Sequence, residues 1–225
     1  SGDRFRPDTG AMAFRRLRPR HRSAAVPTAP EARPRFDLGG ATDPGPRSEN
    51  QDRWAVGEGW AVVCDGVGGH AGGDRAATLA LEAAVAALDS GSGDGDAGGA
   101  SGADDLATAA VLAADAAVRG QQAADPDLAH MATTITLAVR VEGDAQDRWV
   151  VGHVGDSPAL LVPAAGPAIP VTVDHNLAGE LLAAGALTAE QARSHPGRRA
   201  VTRALGIGPR PALPDVDTVA VAPGD

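Results

Sequence analysis

The amino-acid sequence predicts an α+β fold in which antiparallel β-sheets are covered by α-helices. Short apolar strands joined by hairpin turns dominate the pattern, two long helical segments divide them into two groups, and no βαβ unit is repeated. Strands joined by hairpins pair antiparallel, whereas each parallel pair needs a long crossover connection. These three observations favour antiparallel sheets over a doubly wound parallel one.

Length, cysteine content and charge limit the class of protein. A chain of 225 residues can bury a core without disulfides, and its one cysteine, Cys64, is typical of a reducing compartment. No run approaches the roughly 20 apolar residues of a membrane-spanning helix, and no signal-peptide pattern opens the sequence. The net charge of −9 is unfavourable for general nucleic-acid binding. We therefore expect a cytoplasmic protein without a membrane span or a nucleic-acid partner.

Charge also divides the chain into two regions. Residues 1–36 contain nine arginines against three acidic residues, a balance of +6 that leaves −15 for residues 37–225. The first region is rich in arginine and proline and its apolar residues follow no period, so we interpret it as a flexible tail. Its role stays open between a tether, a contact for an anionic partner and a solvated leader. Residues 37–225 are expected to form one domain.

The domain begins with a predicted hairpin, in which apolar strands over 53–56 and 60–64 are joined by a Gly-Glu-Gly turn. Two helices follow, over 74–88 and 104–124, because small apolar residues recur there every three or four positions. Asp74 can cap the first of them. Residues 89–103 between the helices contain no bulky apolar side chain, so they are predicted to be a flexible connector.

The second half of the domain is predicted to return to strands. Apolar or alternating patterns indicate strands over 133–141 and 148–154, and four shorter elements extend the architecture. These are strand segments at 159–162 and 170–173, expected to continue the sheet, and later strands at 200–205 and 216–221.

Two short helices are predicted between these strands, over about 177–184 and over 188–194. Thr188 can cap the second, with Glu190 and Gln191 as capping partners.

Three polar clusters lie in turns at strand ends: residues 47–52, Asp65-Gly66 and Gly155-Asp156-Ser157. A carboxylate fixed at the end of a buried strand is costly to leave without a partner. Mg²⁺ or Mn²⁺ removes that cost, because hard cations prefer carboxylate and carbonyl oxygens. Glycine next to the aspartate lets a carbonyl or a phosphate approach closely. The clusters therefore predict a divalent-cation site.

Six motifs carry a resemblance to a known family. In chain order they are Arg47 with Gln51 and Asp52, residues 63–70 (VCDGVGGH), residues 131–134 (MATT), residues 154–157 (VGDS), Asp174-His175, and residues 195–206 (HPGRRAVTRALG). Together they resemble the PPM family, the metal-dependent Ser/Thr protein phosphatases of type 2C, in their bacterial form. The resemblance extends from about Phe36 to Asp225 and implies an antiparallel β-sandwich flanked by helix pairs.

The resemblance implies a role for each matching residue. Asp65 would bridge two metal ions, Mn²⁺ or Mg²⁺, and Gly66 would supply its carbonyl oxygen to one of them. Asp52 would bind metal or orient a metal-bound water, and Arg47 would hold the substrate phosphate. Asp156 would hold a third, weaker ion. The implied reaction is hydrolysis of phosphoserine and phosphothreonine in proteins by a two-metal activated water, without a covalent intermediate.

Several positions depart from the family pattern. Gln51 stands where a glutamate is frequent, Val67 where eukaryotic relatives place a histidine, and Pro158 where an arginine is usual. Further metal-binding aspartates of the family belong to motifs beyond Asp225, so we expect the C-terminal part of the domain to be missing from this sequence. Residues 177–196 resemble the family's mobile flap.

The implied partners are phosphorylated proteins, including a Ser/Thr kinase and its targets. Two alternatives remain: a phosphatase of an anti-sigma-factor antagonist, and a non-catalytic regulatory binding module with the same fold. Four histidines, namely His70, His153, His175 and His195, fit no zinc-binding spacing and are expected to anchor loops or to form hydrogen bonds in the core.

Overall fold

The computed structural model describes residues 36–46, 48–67, 71–91, 100–142 and 147–222. Over these residues the chain forms eight strands and four α-helices, with short 3-10 turns at Pro126–Leu128 and Pro196–Arg199. The elements are β1 (Asp52–Gly57), β2 (Trp60–Val67), α1 (Ala71–Gly91), α2 (Ala100–Ala124), β3 (Ala132–Thr133), β4 (Ile135–Val141), β5 (Arg148–Val154), β6 (Leu160–Leu161), β7 (Ile169–Pro170), α3 (Leu177–Ala183), α4 (Ala189–Ser194) and β8 (Asp215–Ala220).

Six of the strands form one antiparallel sheet in the order β1-β2-β4-β5-β8, with β3 paired to the end of β2. The predicted strand over 133–141 is therefore split, because Thr134 interrupts it and the two parts pair with different portions of β2. In the sheet register, His153 of β5 lies opposite Thr136 of β4 on one side and Asp215 of β8 on the other.

One face of the sheet, which we name the helix face, is covered by α1 and α2. Valine, leucine, isoleucine and cysteine side chains from the strands pack there against alanines of the helices, and the cluster contains Val62, Cys64, Ile135, Leu137, Val150, Ala80, Ala84, Ala107, Ala110 and Ala114. Alanine side chains are short, so both helices lie close to the sheet. Burial raises the pKa of the Cys64 thiol, and the charge of Asp65 adds to this effect, so the thiol is inert at neutral pH.

The opposite side of the sheet, which we name the second face, has a smaller apolar cluster. Ala138, Trp149 and Val151 form its centre, and partly buried side chains pack on them, namely Phe36, Leu38, Ala159, Val171, Val219 and Val221. Phe36 meets Trp149 edge to face, with ring centroids 5.6 Å apart. The predicted tail, residues 1–36, otherwise lies outside the described residues.

The predicted α+β class is confirmed, with an antiparallel sheet and covering helices. The described residues supply one large sheet and one helix pair, while the β6/β7 ribbon lies over part of the second face. No helix among the described residues is long and apolar enough to cross a membrane.

Three local predictions are wrong. Segments 159–162 and 170–173 do not continue the sheet but pair with each other as β6 and β7, since Pro158, Pro163 and Pro170 have no backbone N–H to donate to a longer ladder. Segment 200–205 is a loop that makes only two isolated bridges, Thr133 to Leu205 and Asn176 to Val201.

The predicted connector over 89–103 is also shorter than expected, because α1 continues to Gly91 and α2 begins at Ala100; residues 92–99 lie outside the described part. The prediction that Asp74 caps α1 is wrong, because the helix starts at Ala71; Asp74 lies in its first turn and forms an ion pair with Arg53 of β1. Thr188 does cap α4 with a capping box, and its partner is Gln191.

Candidate active site

Asp52 and Asp65 lie directly opposite each other in the β1/β2 hairpin. Val62 and Cys64 point to the helix face, and side chains alternate along a strand, so Asp65 and its partner Asp52 point to the second face. Both residues are half-buried. Directly opposed residues have Cβ atoms about 5 Å apart, so their two carboxylates repel each other, and a divalent cation between them would turn this repulsion into attraction.

The backbone of Asp65 is held in place by two consecutive threonines. Its carbonyl oxygen accepts hydrogen bonds from the Thr133 hydroxyl and the Thr134 amide, both at 2.9 Å. Its amide donates to Thr134 Oγ1 at 3.1 Å. Both threonines are fully buried, so the strand end that carries Asp65 is fixed by groups that exchange no hydrogen bonds with solvent.

Gly66 lies where the start of α1 reaches the sheet. A side-chain carbon at Gly66 would collide with the Gly73 carbonyl, and one at Gly73 would lie 2.5 Å from Gln51 Oε1. The Gly66 amide donates to the Gln51 carbonyl at 3.2 Å. Only glycine fits at position 66. Its lack of a side chain lets the start of α1 approach Asp52 and Asp65 closely.

The second predicted ligand region is the turn Gly155-Asp156-Ser157 after β5. Gly155 has φ +122°, and a Cβ there would lie 2.5 Å from Thr134 Cβ and Cγ2. Ser157 Oγ is 2.8 Å from Thr134 Oγ1, and the Ser157 carbonyl accepts from Thr136 Oγ1 at 2.5 Å. Thr134 therefore contacts both the strand end at Asp65 and the turn at Asp156, so the structure brings these two predicted site segments together.

Asp156 has a second carboxylate beside it. Burial raises the pKa of Asp156, and burial together with the charge of Asp156 raises the pKa of Asp174. The Asn176 side chain forms hydrogen bonds that favour the charged form of both groups, and its Oδ1 accepts from the Gly179 amide at 2.8 Å, which caps α3. Sequence reasoning recognised Asp174 as part of a motif but missed Asn176, whose signal is an Asn immediately before a helix.

The residues present fit a hard divalent cation. Asp52 and Asp65 supply carboxylate oxygens at adjacent positions, and Gly66 is a neighbouring source of a carbonyl oxygen, which are the donor types that Mg²⁺ and Mn²⁺ prefer. Within the described ranges, no group of three or more His, Cys, Asp or Glu side chains is arranged to hold a metal. Arg47, the predicted phosphate ligand, lies outside the described residues, and so does His70.

The other three histidines have the anchoring contacts expected of them. His153 Nδ1 lies 2.9 Å from Thr136 Oγ1, His175 Nδ1 accepts from the Gly155 amide at 3.0 Å, and His195 Nδ1 accepts from the Gly197 amide at 3.0 Å. For these residues the prediction of loop and core hydrogen bonding is confirmed.

Comparison with known sequences gives protein phosphatases. The family profile described as protein phosphatase 2C matches residues 46–205. The serine/threonine protein phosphatase PstP of Mycobacterium tuberculosis (strain H37Rv) is 37% identical over 161 residues, 71% of this chain and 29% of that protein. The serine/threonine phosphatase stp of Listeria innocua is 30% identical over 162 residues, 71% of this chain and 58% of that protein. The chain thus spans less than one third of the mycobacterial relative.

Solved structures give the same result. The crystal structure of the Mycobacterium tuberculosis serine/threonine phosphatase PstP/Ppp is 32% identical with a TM-score of 0.64, covering 78% of this chain and 69% of that chain. The catalytic domain of PstP in complex with two manganese ions is 29% identical with a TM-score of 0.61, covering 78% of this chain and 68% of that chain.

Proposed function

The chain belongs to the protein phosphatase 2C family, and from this we propose that its folded region hydrolyses phosphoserine and phosphothreonine in proteins with the help of Mn²⁺ or Mg²⁺. The observation that carries the proposal is the opposition of Asp52 and Asp65 at the end of the β1/β2 hairpin. A related catalytic domain binds two manganese ions, which supports the same ion class here.

Each site residue has a defined task in this proposal. Asp65 and Asp52 hold the two principal ions with the Gly66 carbonyl, and Asp156 holds a third, weaker one. Divalent ions, when bound, lower the pKa of a coordinated water and neutralise phosphoryl oxygens, so hydrolysis needs no covalent intermediate. Arg47 binds two phosphate oxygens through its planar guanidinium.

Thr133 and Thr134 hold the backbone of Asp65 in one position, so that little reorganisation of the strand end is required during the reaction.

The partners that follow from this activity are phosphorylated proteins, among them a Ser/Thr kinase and its targets, in the cytoplasm. An anti-sigma-factor antagonist is the alternative substrate. The two are distinguished by comparing kcat/KM for a phosphothreonine peptide from a kinase activation loop with that for a phosphoserine peptide from such an antagonist. A higher value for the second peptide would favour the alternative.

The central test replaces one carboxylate. In the full-length protein, Asp65→Asn should lower the Mn²⁺-dependent hydrolysis of a phosphothreonine peptide to less than about one tenth of the wild-type rate. Replacing a residue that only orients a metal ligand already lowers metal affinity or activity about 10-fold, and Asp65 is a proposed direct ligand. Asp217→Asn, which changes an exposed carboxylate of β8, should leave the rate unchanged. A rate above one tenth in a folded Asp65→Asn protein would contradict the two-metal assignment.

A non-catalytic binding module is the second candidate. It is favoured by the finding that, over the described residues, no three acidic or histidine side chains are arranged to hold a metal. This candidate predicts that the full-length protein binds a phosphothreonine peptide in Mn²⁺ and releases it intact, as measured by calorimetry and mass spectrometry. Release of inorganic phosphate that depends on Asp65 would exclude it.

A further inference from the structure

We propose that His175 is a positioning residue that fixes the turn Gly155-Asp156-Ser157 through its Nδ1, and that Asp215, itself held by Arg203, sets the ring tautomer in which Nδ1 can accept a hydrogen bond. The role toward metal rests on the proposed function of Asp156 as the ligand of the weaker ion. The contacts between His175 and the turn do not depend on that function.

His175 binds Gly155 at two points. The Gly155 amide donates to His175 Nδ1 at 3.0 Å, and the His175 amide donates to the Gly155 carbonyl at 2.7 Å. Both peptide groups that flank the φ +122° conformation of Gly155 are therefore held by one residue. Since the next residue is Asp156, these two bonds determine the direction in which the chain leaves β5 and presents that carboxylate.

The ring of His175 is itself held on its other side. Because Nδ1 accepts a hydrogen bond, the proton of the neutral ring is on Nε2, and Nε2 donates to Asp215 Oδ2 at 2.9 Å. Arg203 Nη1 also lies 2.9 Å from Nε2, and because both nitrogens carry protons, the hydrogen bond of Nη1 goes to Asp215 and not to the ring. Arg203 donates to Asp215 Oδ1 at 2.8 Å and to the Leu213 carbonyl at 2.6 Å. Partial burial opposes the charge of Asp215, but the bonds from Arg203 and His175 keep its pKa below the usual range.

Packing limits any other orientation of the His175 ring. The residue is 4% exposed, and its ring lies against His153 with centroids 4.8 Å apart. The following residue, Asn176, forms a hydrogen bond with the Asp156 side chain. His175 and Asn176 thus hold the backbone before Asp156 and the carboxylate itself, while Thr134 and Thr136 hold Ser157 after it.

A purely structural role for His175 would also lower stability when the ring is removed, so the test separates the two bonds of the ring. In His175→Asn, the side-chain Oδ1 lies near the place of Nδ1 and can accept from Gly155, but it cannot reach Asp215. In His175→Gln, the terminal amide can reach Asp215, but the Gly155 amide loses its acceptor. The two variants have similar polarity and both lose the ring.

Two measurements on the full-length protein follow. In metal-free protein, amide hydrogen exchange at Gly155 should be at least about 10-fold faster in His175→Gln than in wild type and nearly unchanged in His175→Asn. In a Mn²⁺ titration followed by electron paramagnetic resonance, the Kd of the weaker site should rise about 10-fold in His175→Gln, the scale expected for a residue that orients a ligand, and less than about threefold in His175→Asn. Asp217→Asn serves as the unchanged control.

Each result decides the proposal. Equal exchange rates at Gly155 in the two variants, or a weaker site that is unaffected in His175→Gln, would overturn the positioning role. A wild-type protein without a weaker Mn²⁺ site would overturn the metal-directed part and the assignment of Asp156, whatever the exchange data show. If the wild-type protein shows no Asp65-dependent hydrolysis, the proposed function is refuted instead. Neither measurement on the His175 variants requires turnover, so the two failures are distinguishable.

Discussion

His153 shows how one buried side chain couples the stability of the protein to pH. Its Nδ1 lies 2.9 Å from the Thr136 hydroxyl, which donates to the Ser157 carbonyl and therefore accepts from the His153 N–H. The residue is fully buried. Burial, assisted by the neighbouring His175, lowers the pKa of His153 to about 4. The folded protein therefore holds this ring neutral at a pH where the unfolded chain binds a proton.

The pH dependence follows from that difference. The pKa is near 6.5 in the unfolded chain, so the unfolded state gains protons first and the free energy of unfolding should fall as the pH decreases from about 6.5 toward 4. We expect His153 to account for a loss of about 2 kcal/mol between pH 7.5 and pH 4.5. Urea denaturation at both pH values measures it.

The matched variant is His153→Asn, whose amide can still donate to Thr136 but does not titrate. Asp156 and Asp174 have raised pKa values and contribute with the opposite sign, since protonation in the folded state stabilises it as the pH falls. They remain in both proteins, so the difference between the two pH slopes isolates His153. Equal slopes in wild type and His153→Asn would contradict the assignment.

At the scale of residues, sequence alone identified the groups that belong to short motifs. Asp52, Asp65 and Asp156 follow or begin strands and stand beside glycine or glutamine, so their placement could be inferred. Asp215 could not, because its hydrogen-bond partner His175 is 40 positions away in the chain and no local pattern records such a contact. Arg203 lies in the last of the six motifs, but its contact with His175 across 28 positions could not be inferred for the same reason.

At the scale of elements, helix α2 fixes the loop that follows the last motif. The buried carboxylate of Asp115 accepts from the Gly206 amide at 2.8 Å and from the Ala212 amide at 3.1 Å, and Arg119 pairs with it at 2.6 Å. Arg119 also donates to three carbonyls of the same loop, those of residues 207, 208 and 210. One helical turn therefore satisfies five backbone groups of a segment without regular structure.

We predict that Asp115→Ala lowers the free energy of unfolding by about 3 kcal/mol, because it leaves two half-buried amides and a guanidinium without their acceptor. Asp105→Ala changes an exposed carboxylate of the same helix and should cost less than about 0.5 kcal/mol. Urea denaturation of both variants at neutral pH provides the comparison. Similar losses in the two proteins would show that the loop contacts of Asp115 add nothing to stability.

Elements with a sustained apolar pattern were predicted well, whereas a segment whose backbone bonds to residues distant in the chain was predicted poorly. The core of α1 and α2 and the strands β2, β5 and β8 have clear apolar patterns, and their positions agree with the structure to within a few residues. The segment at 200–205 has an apolar pattern too, but its backbone groups bond to Thr133 and His175 and to neighbouring turns. Sequence periodicity does not reveal that choice of partner.

At the scale of the whole molecule, the two faces of the sheet differ in chemistry. The helix face is apolar except at its β1 edge, where Arg53 pairs with Asp74 of α1. The second face combines an apolar end around Trp149 with a polar end that contains Asp52, Asp65, Thr134, Thr136 and His153. The class of fold could be predicted from the order of strands and helices. The division of one face into two zones could not, because it depends on strand order in space.

The proposed cation site at this polar end predicts that stability depends on divalent cations. With Mn²⁺ at about 100 times its Kd, we expect stabilisation of about 2.7 kcal/mol from binding to the folded state alone, observed as a rise in Tm. Asp65→Asn and Asp52→Asn should each abolish most of the rise. Neither should lower the Tm of the metal-free protein much, because each removes the repulsion between two opposed carboxylates.

Differential scanning calorimetry with and without Mn²⁺ measures both effects, and Asp217→Asn should retain the full Mn²⁺-dependent rise. The same rise in Asp65→Asn as in wild type would place the stabilising ion elsewhere.

The burial of Cys64 offers a route to observe α3 and its surroundings directly. It is the one cysteine of the sequence, and in the folded protein its thiol is both inaccessible and protonated. Maleimide reagents should therefore not react with Cys64. A cysteine introduced in place of the exposed Leu182 of α3 can then be labelled selectively in an otherwise unaltered chain. A nitroxide at that position would report, through its broadening by Mn²⁺, how far α3 lies from the bound ions in solution.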